Sequence, residues 1–247
     1  TDVSIKEIQG NVGKPTSMDA TNFPYTSVLP DQSFLTGVNS AYNFIDLDGS
    51  DEYIDTGSPF QSTFRNSSSI SAWIKPTDGI PSAENTIMGS KGGGNLYFSI
   101  DTSGKLRLYI NDGSSEAYAI ANSATFSDGQ QGWHHVVAVI NNSTEQVSLY
   151  LDGSVITLDG TSDGDISSLT LSNFTSTRNQ YIGARNNEGT ADRFFNGDVG
   201  QTAIYNKALS ATEVSAIYDA GRHSNLLDSY ADNLIAYWAM GALDAKT

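Results

Sequence analysis

Two stretches of the chain gather oxygen donors at the density a hard divalent cation requires. The first is the turn Asp48-Gly49-Ser50-Asp51-Glu52, and the second runs from Asn186-Asn187-Glu188 through Asp192 to Asp198. Calcium takes several carboxylate, amide and backbone carbonyl oxygens. Asp48, Asp51, Asp192 and Asp198 therefore form the candidate calcium set. A third group suits sugars. Tyr97, Tyr109 and Tyr118 lie in strand-like runs beside Asn95, Asn111 and Asp112, and a ligand site pairs aromatic surface with a few placed polar groups. Asn186, Asn187 and Glu188 add loop donors to this ligand-binding set. Strand parity leaves two readings of the tyrosines, a ligand face or the core.

Catalysis is not expected. Retaining glycoside cleavage needs two carboxyls on one face, about 5 Å apart. Glu52 and Asp55 are the nearest pair, and a spacing of three puts them on opposite faces of a strand. The chain has no nucleophile elbow, phosphate loop or HExxH motif. His134 and His135 are successive residues at the start of a strand, so they cannot chelate one metal together. The structural reading packs one near Trp133 and exposes the other.

The net charge of −15 argues against nucleic acid and anionic membranes, which select basic surfaces. It suits solubility, divalent cations or a salty medium. There are no cysteines, so thiolate chemistry and disulfides are excluded. No segment approaches the roughly 18 apolar residues of a membrane span, so membrane insertion is not expected.

These side chains need elements to hold them. Short apolar-polar runs punctuated by turn residues begin at Tyr42, the pattern of a sandwich or barrel. Asn111-Asp112-Gly113 and Asp152-Gly153 are hairpin turns, because these residues tolerate positive φ. The Ser/Thr/Asp-rich stretch Gly160–Asn179 reads as a surface loop. Near the C-terminus, NGDVGQTAIYNKALSATEVSAIYDAG reads as a strand, a turn and a helix over 211–220. Ser210 with Glu213 makes a capping box, and Gly221 sits where a terminating glycine belongs. Residues 1–40, broken by Pro15, Pro24 and Pro30, read either as an extended arm or as an edge strand plus loop. The remainder, 41–247, reads as one domain.

Eight motifs in order carry a family resemblance: FIDLDGSDEYI, SISAWIKPT, TIMGSKG, GKLRLYI, GWHHVVAV, VSLYLDG, YIGA and the block from Phe195 to Gly221. From about Tyr42 to Gly221 the chain resembles the laminin-G-like and pentraxin-like branch of the concanavalin A-like lectin/glucanase superfamily. The resemblance implies an all-β antiparallel jelly-roll sandwich with one short C-terminal helix near 211–220. Trp73, Ile74, Val137, Val139, Leu149 and Leu151 would then point inward. It also bears on calcium. The turn at 48–52 matches the family's Asp-Gly-x-Asp-Asp turn, but Val199-Gly200-Gln201-Thr202 replaces the family's Ile-Asp-Glu-Val. Arg185, Asn186 and Asn187 stand where pentraxins are acid-rich, and Gly93-Gly94 where they carry Asp-Asn. The pentraxin double-calcium site is not expected. A single calcium at the 48–52 turn stands against the plainer reading that these acids serve turns and solubility.

The function expected is a non-enzymatic recognition or adhesion module outside the cell, on a virion or bacterial surface. Its target would be a glycan or a surface protein, gripped by the sandwich loops. The alternative is a structural virion decoration or fibre subunit, assembled as a homo-oligomer or larger array through the 1–40 arm. A degenerate glycoside hydrolase is the third reading.

Overall fold

The computed structural model describes residues 14–16 and 44–240. Two sheets face each other. Across the first run Lys14–Thr16, Tyr53–Asp55, Tyr181–Ile182, Asn85–Lys91, Asn95–Ile100, Leu106–Asn111, Glu116–Ala121 and Leu158–Asp163. Across the second run Ser154–Val155, Gln146–Leu151, His134–Asn141, Ser68–Pro76, Asn196–Tyr205 and Leu234–Trp238, with Ile45–Asp48 also paired to the 196–205 strand. Neighbours are antiparallel except Arg185–Asn187, which lies parallel to Asn85–Lys91. The fold is the expected all-β antiparallel sandwich of concanavalin A-like type. Of the 1–40 segment, only 14–16 falls among the described residues, as an edge strand on Tyr53–Asp55.

Alternation builds the core. Leu96, Phe98 and Ile100 from one strand meet Leu106, Leu108 and Ile110 from the next. The opposing sheet supplies Ile70, Ala72 and Ile74 with Val136, Ala138 and Ile140. Trp73, Val137 and Val139, expected inward, lie instead on the far side of the second sheet. Val137 and Val139 pack there with Tyr205, Val214 and Ile217, and Trp73 stacks on Tyr218 at 5.7 Å. The helix Ala211–Ala220 covers that outer face. Both faces of these strands are therefore apolar, and apolarity alone does not tell which residues point inward. Ile74 and Leu149 do point into the main core, and Leu151 packs at its border.

The helix itself matches its sequence signals. Ser210 Oγ accepts from the Glu213 amide at 3.3 Å, and the Glu213 carboxylate accepts the Ser210 amide at 2.9 Å. Gly221 ends it at φ +81°, a value that favours glycine. Ser210→Ala is expected to cost about 1 kcal/mol, read as a lower urea midpoint at unchanged m-value. Two short helices not read from sequence, Gln61–Phe64 and Leu226–Ser229, complete the helical content of the described residues, with a 3-10 turn at Leu171–Asn173. No described helix is long and apolar enough to cross a membrane.

His135 is the buried histidine, and the tryptophan ring it meets is Trp73, where the sequence suggested Trp133. It is fully enclosed between Trp73 and Tyr218, with Nε2 2.8 Å from Ser71 Oγ. His134 is half-buried against Asp152 at 2.8 Å. Burial drives the His135 imidazole down to about 4, the charge of Asp152 opposing only in part. The folded state therefore keeps this ring neutral while the unfolded chain takes up a proton below about pH 6.5. The stabilisation is complete above pH 6.5 and is lost as pH falls toward 4. The full shift is worth about 3 kcal/mol. A melting profile from pH 7 to 4 should fall more steeply for the wild type than for His135→Phe; parallel profiles would discard this linkage.

Candidate functional site

The outer face of the first sheet carries the site. Because the leucines and alanines of three successive strands turn inward, Tyr97, Tyr109 and Tyr118 turn outward at directly paired positions. The rings of Tyr97 and Tyr109 stack at 4.8 Å, and Tyr118 meets Tyr109 edge-on at 5.2 Å. This decides the parity left open by the sequence: the tyrosines lie outside the inter-sheet core, with Tyr97 and Tyr109 buried on the outer face and Tyr118 partly exposed. Tyr181 and Gly89 continue the same row, since Tyr181 pairs with Gly89 and Gly89 with Tyr97. Tyr53 stacks on Tyr181 at 4.4 Å.

Three of the six arginines converge on Tyr97. The guanidinium carbons of Arg107, Arg185 and Arg193 stand 5.7, 5.2 and 5.7 Å from its ring centroid. Arg107 also lies 5.3 Å from the Tyr118 ring. Arg107 is outward by the same alternation that places Tyr109. Arg185 arrives on a hairpin, Arg185–Asn187 with Thr190–Asp192. Its turn residues Glu188 and Gly189 both have positive φ, +57° and +96°, as a two-residue turn of type I′ requires. Arg185 thus sits opposite Asp192 and holds it with two bonds of 2.8 and 2.6 Å.

The electrostatics are unusual for so acidic a chain. Glu84 binds Arg193, approaches Arg107 Nε at 3.6 Å and accepts from Ser99 Oγ at 2.5 Å. Three guanidiniums thus face the two carboxylates of Glu84 and Asp192. Arg107 Nε and Arg185 Nη1 are buried and have no hydrogen-bond partner. Such donors are rare in folded proteins and call for an acceptor. Burial raises the Tyr97 hydroxyl above its ordinary range even though Arg107 and Arg185 pull the other way. Burial lowers Arg193, and in Arg185 the bonds from Asp192 outweigh burial and raise it. The arrangement can receive a compact anion that also offers apolar surface to the tyrosines.

The residues named from sequence divide sharply. Tyr97 is at the centre, and Asn187 touches it only indirectly, through its 3.0 Å bond to Asp192. Asn95 and Asn111 are cross-strand partners that hold turns, Asn95 to the Gly92 carbonyl and Asn111 from the Gly113 amide. Asp112 anchors a loop: burial alone would raise its carboxyl, but backbone donors led by Thr170 keep it below the usual range. Asn186 binds the Asn179 carbonyl and the Gly189 amide, and Glu188 is the exposed turn residue. Arg107, Arg185, Arg193 and Glu84 were missed. Leucine alternation around Arg107 in LRLYI was the one available signal.

The candidate calcium residues are not gathered into one set. Asp192 is held by Arg185, and Asp198 by Lys75 at 3.0 Å. Asp48 accepts the Ser50 amide, and its own amide donates to Glu52. Asp51 is exposed on that turn. Asp46 lies opposite Asp198, and burial, then the Asp198 charge, raises the Asp46 carboxyl. Among the described residues no three histidine or acidic side chains come together as a metal site. The expected loop at 160–179 also begins inside a strand, Leu158–Asp163, paired with a bulge to Glu116–Ala121. That edge is held by backbone bonds, which polar composition does not reveal.

Comparison with known proteins agrees with this architecture. A laminin-G family model, described as the concanavalin A-like lectin/glucanases superfamily, matches residues 48–215. The chain belongs to that superfamily. No curated protein matches it in sequence. Among solved structures it is similar to the CBM40 of the Ruminococcus gnavus IT-sialidase, at 17% identity and a TM-score of 0.53, covering 71% of this chain and 96% of that one. The same CBM40 is known bound to α2,3- and α2,6-sialyllactose. It is also similar to the K499G mutant of the NanB sialidase from Streptococcus pneumoniae, at 19% identity and a TM-score of 0.56, over 70% of this chain but 27% of that one.

Proposed function

We propose that the chain is a non-enzymatic carbohydrate-recognition module that takes an acidic sugar on the outer face of its first sheet. One observation carries this: three guanidiniums, two with buried donors that make no hydrogen bond, surround one tyrosine in a row of paired rings. A sugar carboxylate supplies the acceptors, and the partly exposed ring of Tyr118 supplies the apolar contact. The binding of sialyllactose by the R. gnavus CBM40 supports the same ligand class. Glu84 is engaged by two arginines, and Glu52 by the Asp48 amide, so neither serves as a glycosidic acid in this reading. The setting is exterior, on a bacterial cell or a virion.

A glycan array should light up for sialylated or uronic-acid glycans and stay dark for neutral ones. A blank array would favour the structural subunit. Calcium plays no part in this reading, because Asp192 and Asp198 are held by Arg185 and Lys75, and Asp48 and Glu52 of the 48–52 turn serve its backbone amides. Affinity and melting temperature should be equal in excess calcium and in EDTA. A tenfold loss of affinity in EDTA would restore a metal at the 48–52 turn.

A further inference from the structure

Beside the arginine cluster lies a pocket of about 280 Å³, to which Arg193 alone of the three arginines contributes. Arg193 and Phe194 form one wall, with Asp78, Ser82, Asn85 and Asn196 around the rest. Arg193 is shared, since the same side chain stands over Tyr97. Phe194 reaches toward the outer-face ring of Tyr53 at 6.3 Å. The volume is just under the range of about 300–1,000 Å³ typical of small-molecule sites, so it suits one compact group. Its lining mixes hydroxyl, amide and charged side chains with Pro81, Ala83 and Phe194, which suits a hydroxylated ligand with an apolar ring face.

Asn85 supplies an independent observation. It is 4% exposed, and its Nδ2 donor has no hydrogen-bond partner. Buried amides ordinarily find one. We infer that this pocket is a second subsite, receiving the neutral, hydroxyl-bearing sugar next to the acidic one, with Asn85 donating to it. This rests on the acidic-sugar reading of the arginine cluster. The ligand is then an oligosaccharide whose acidic unit lies over Tyr97 and whose adjoining unit runs past Arg193 into the pocket. Gly49 also lines the pocket, so the 48–52 turn contributes backbone to this subsite.

Calorimetric titration of the full chain with the acidic sugar alone, as the α-methyl glycoside of N-acetylneuraminic acid, and with α2,3- and α2,6-sialyllactose tests this. The wild type should bind at least one sialyllactose about tenfold more tightly than the acidic sugar alone, the gain expected of one or two added hydrogen bonds. Ala83→Trp plugs the pocket from an exposed rim position and should reduce that ratio to near one without changing the Kd for the acidic sugar alone. Asn85→Ala should act in the same direction. Because Asn85 is buried, Ala83→Trp at the rim carries the test if Asn85→Ala fails to fold. A wild-type ratio of one, or a ratio that survives Ala83→Trp, overturns the second subsite while leaving the arginine cluster standing. Absence of binding to every acidic sugar overturns both.

Discussion

Arg107→Ala should lower affinity for sialyllactose about 10–100-fold and leave the protein folded. Hydrogen bonds to charged groups contribute about 1.5–3 kcal/mol, and each 1.4 kcal/mol is a factor of ten. Arg107 offers that kind of contact: its guanidinium lies near the rings of Tyr97 and Tyr118, and its Nε makes no hydrogen bond, only the longer ion pair to Glu84. Stability should change little. Glu84, its partner at 3.6 Å, keeps Arg193 and Ser99. Arg107→Lys retains charge but loses the planar fork, so its affinity should fall between the two. Raising salt should weaken wild-type binding more than it weakens binding by the alanine variant. Affinity for acidic glycans unchanged in Arg107→Ala would remove this face from consideration.

Gly89→Ala is expected to damage both fold and site. Gly89 pairs with Tyr97, and a Cβ there would meet Tyr97 Cβ at 2.2 Å and its Cα at 2.4 Å. The obstruction is partly backbone, so a rotamer change cannot relieve it. The strands 85–91 and 95–100 would have to part at the point where Tyr97 receives its arginines. Overpacking costs about 1–3 kcal/mol and sometimes more, and the upper end is expected here. A urea midpoint shift of that size, with glycan binding lost, is the predicted outcome. A normal midpoint would mean the strands separate more freely than this packing implies.

The scaffold was legible because its signals are local. Glu116–Ala121, His134–Asn141 and Leu234–Trp238 fall where alternation and turn residues put them. The Ser210–Glu213 cap needs only neighbours three residues apart, and Asp152-Gly153 takes its turn from positive φ at both residues. The strands buried on both faces were less legible. In HHVVAVIN every residue is compatible with either side until the 211–220 helix is known to cover one of them.

The site was barely legible, because its members come from separate elements. Arg107, Arg185 and Arg193 span 86 positions and meet only because Gly89 pairs with Tyr97 on one side and runs alongside Arg185 on the other. Polar residues at turns drew attention from sequence because asparagine and aspartate are conspicuous there. Asn111, Asp112 and Asn186 proved to be bonded to nearby backbone, which is what such side chains do in turns. The same pull of local chemistry made Asp192 and Asp198 look like calcium ligands, when cross-strand pairing gives them Arg185 and Lys75.

By itself, then, the sequence determined the class of fold, most of the longer strands, the capped helix and an acidic chain without cysteine. Periodicity and capping act over a few residues, so they are readable without coordinates. Only the tertiary structure decided that the tyrosines face outward, that half the arginines surround one ring, and that a pocket opens beside Arg193. Those outcomes depend on which strands pair and in what register, and register joins residues far apart in the chain.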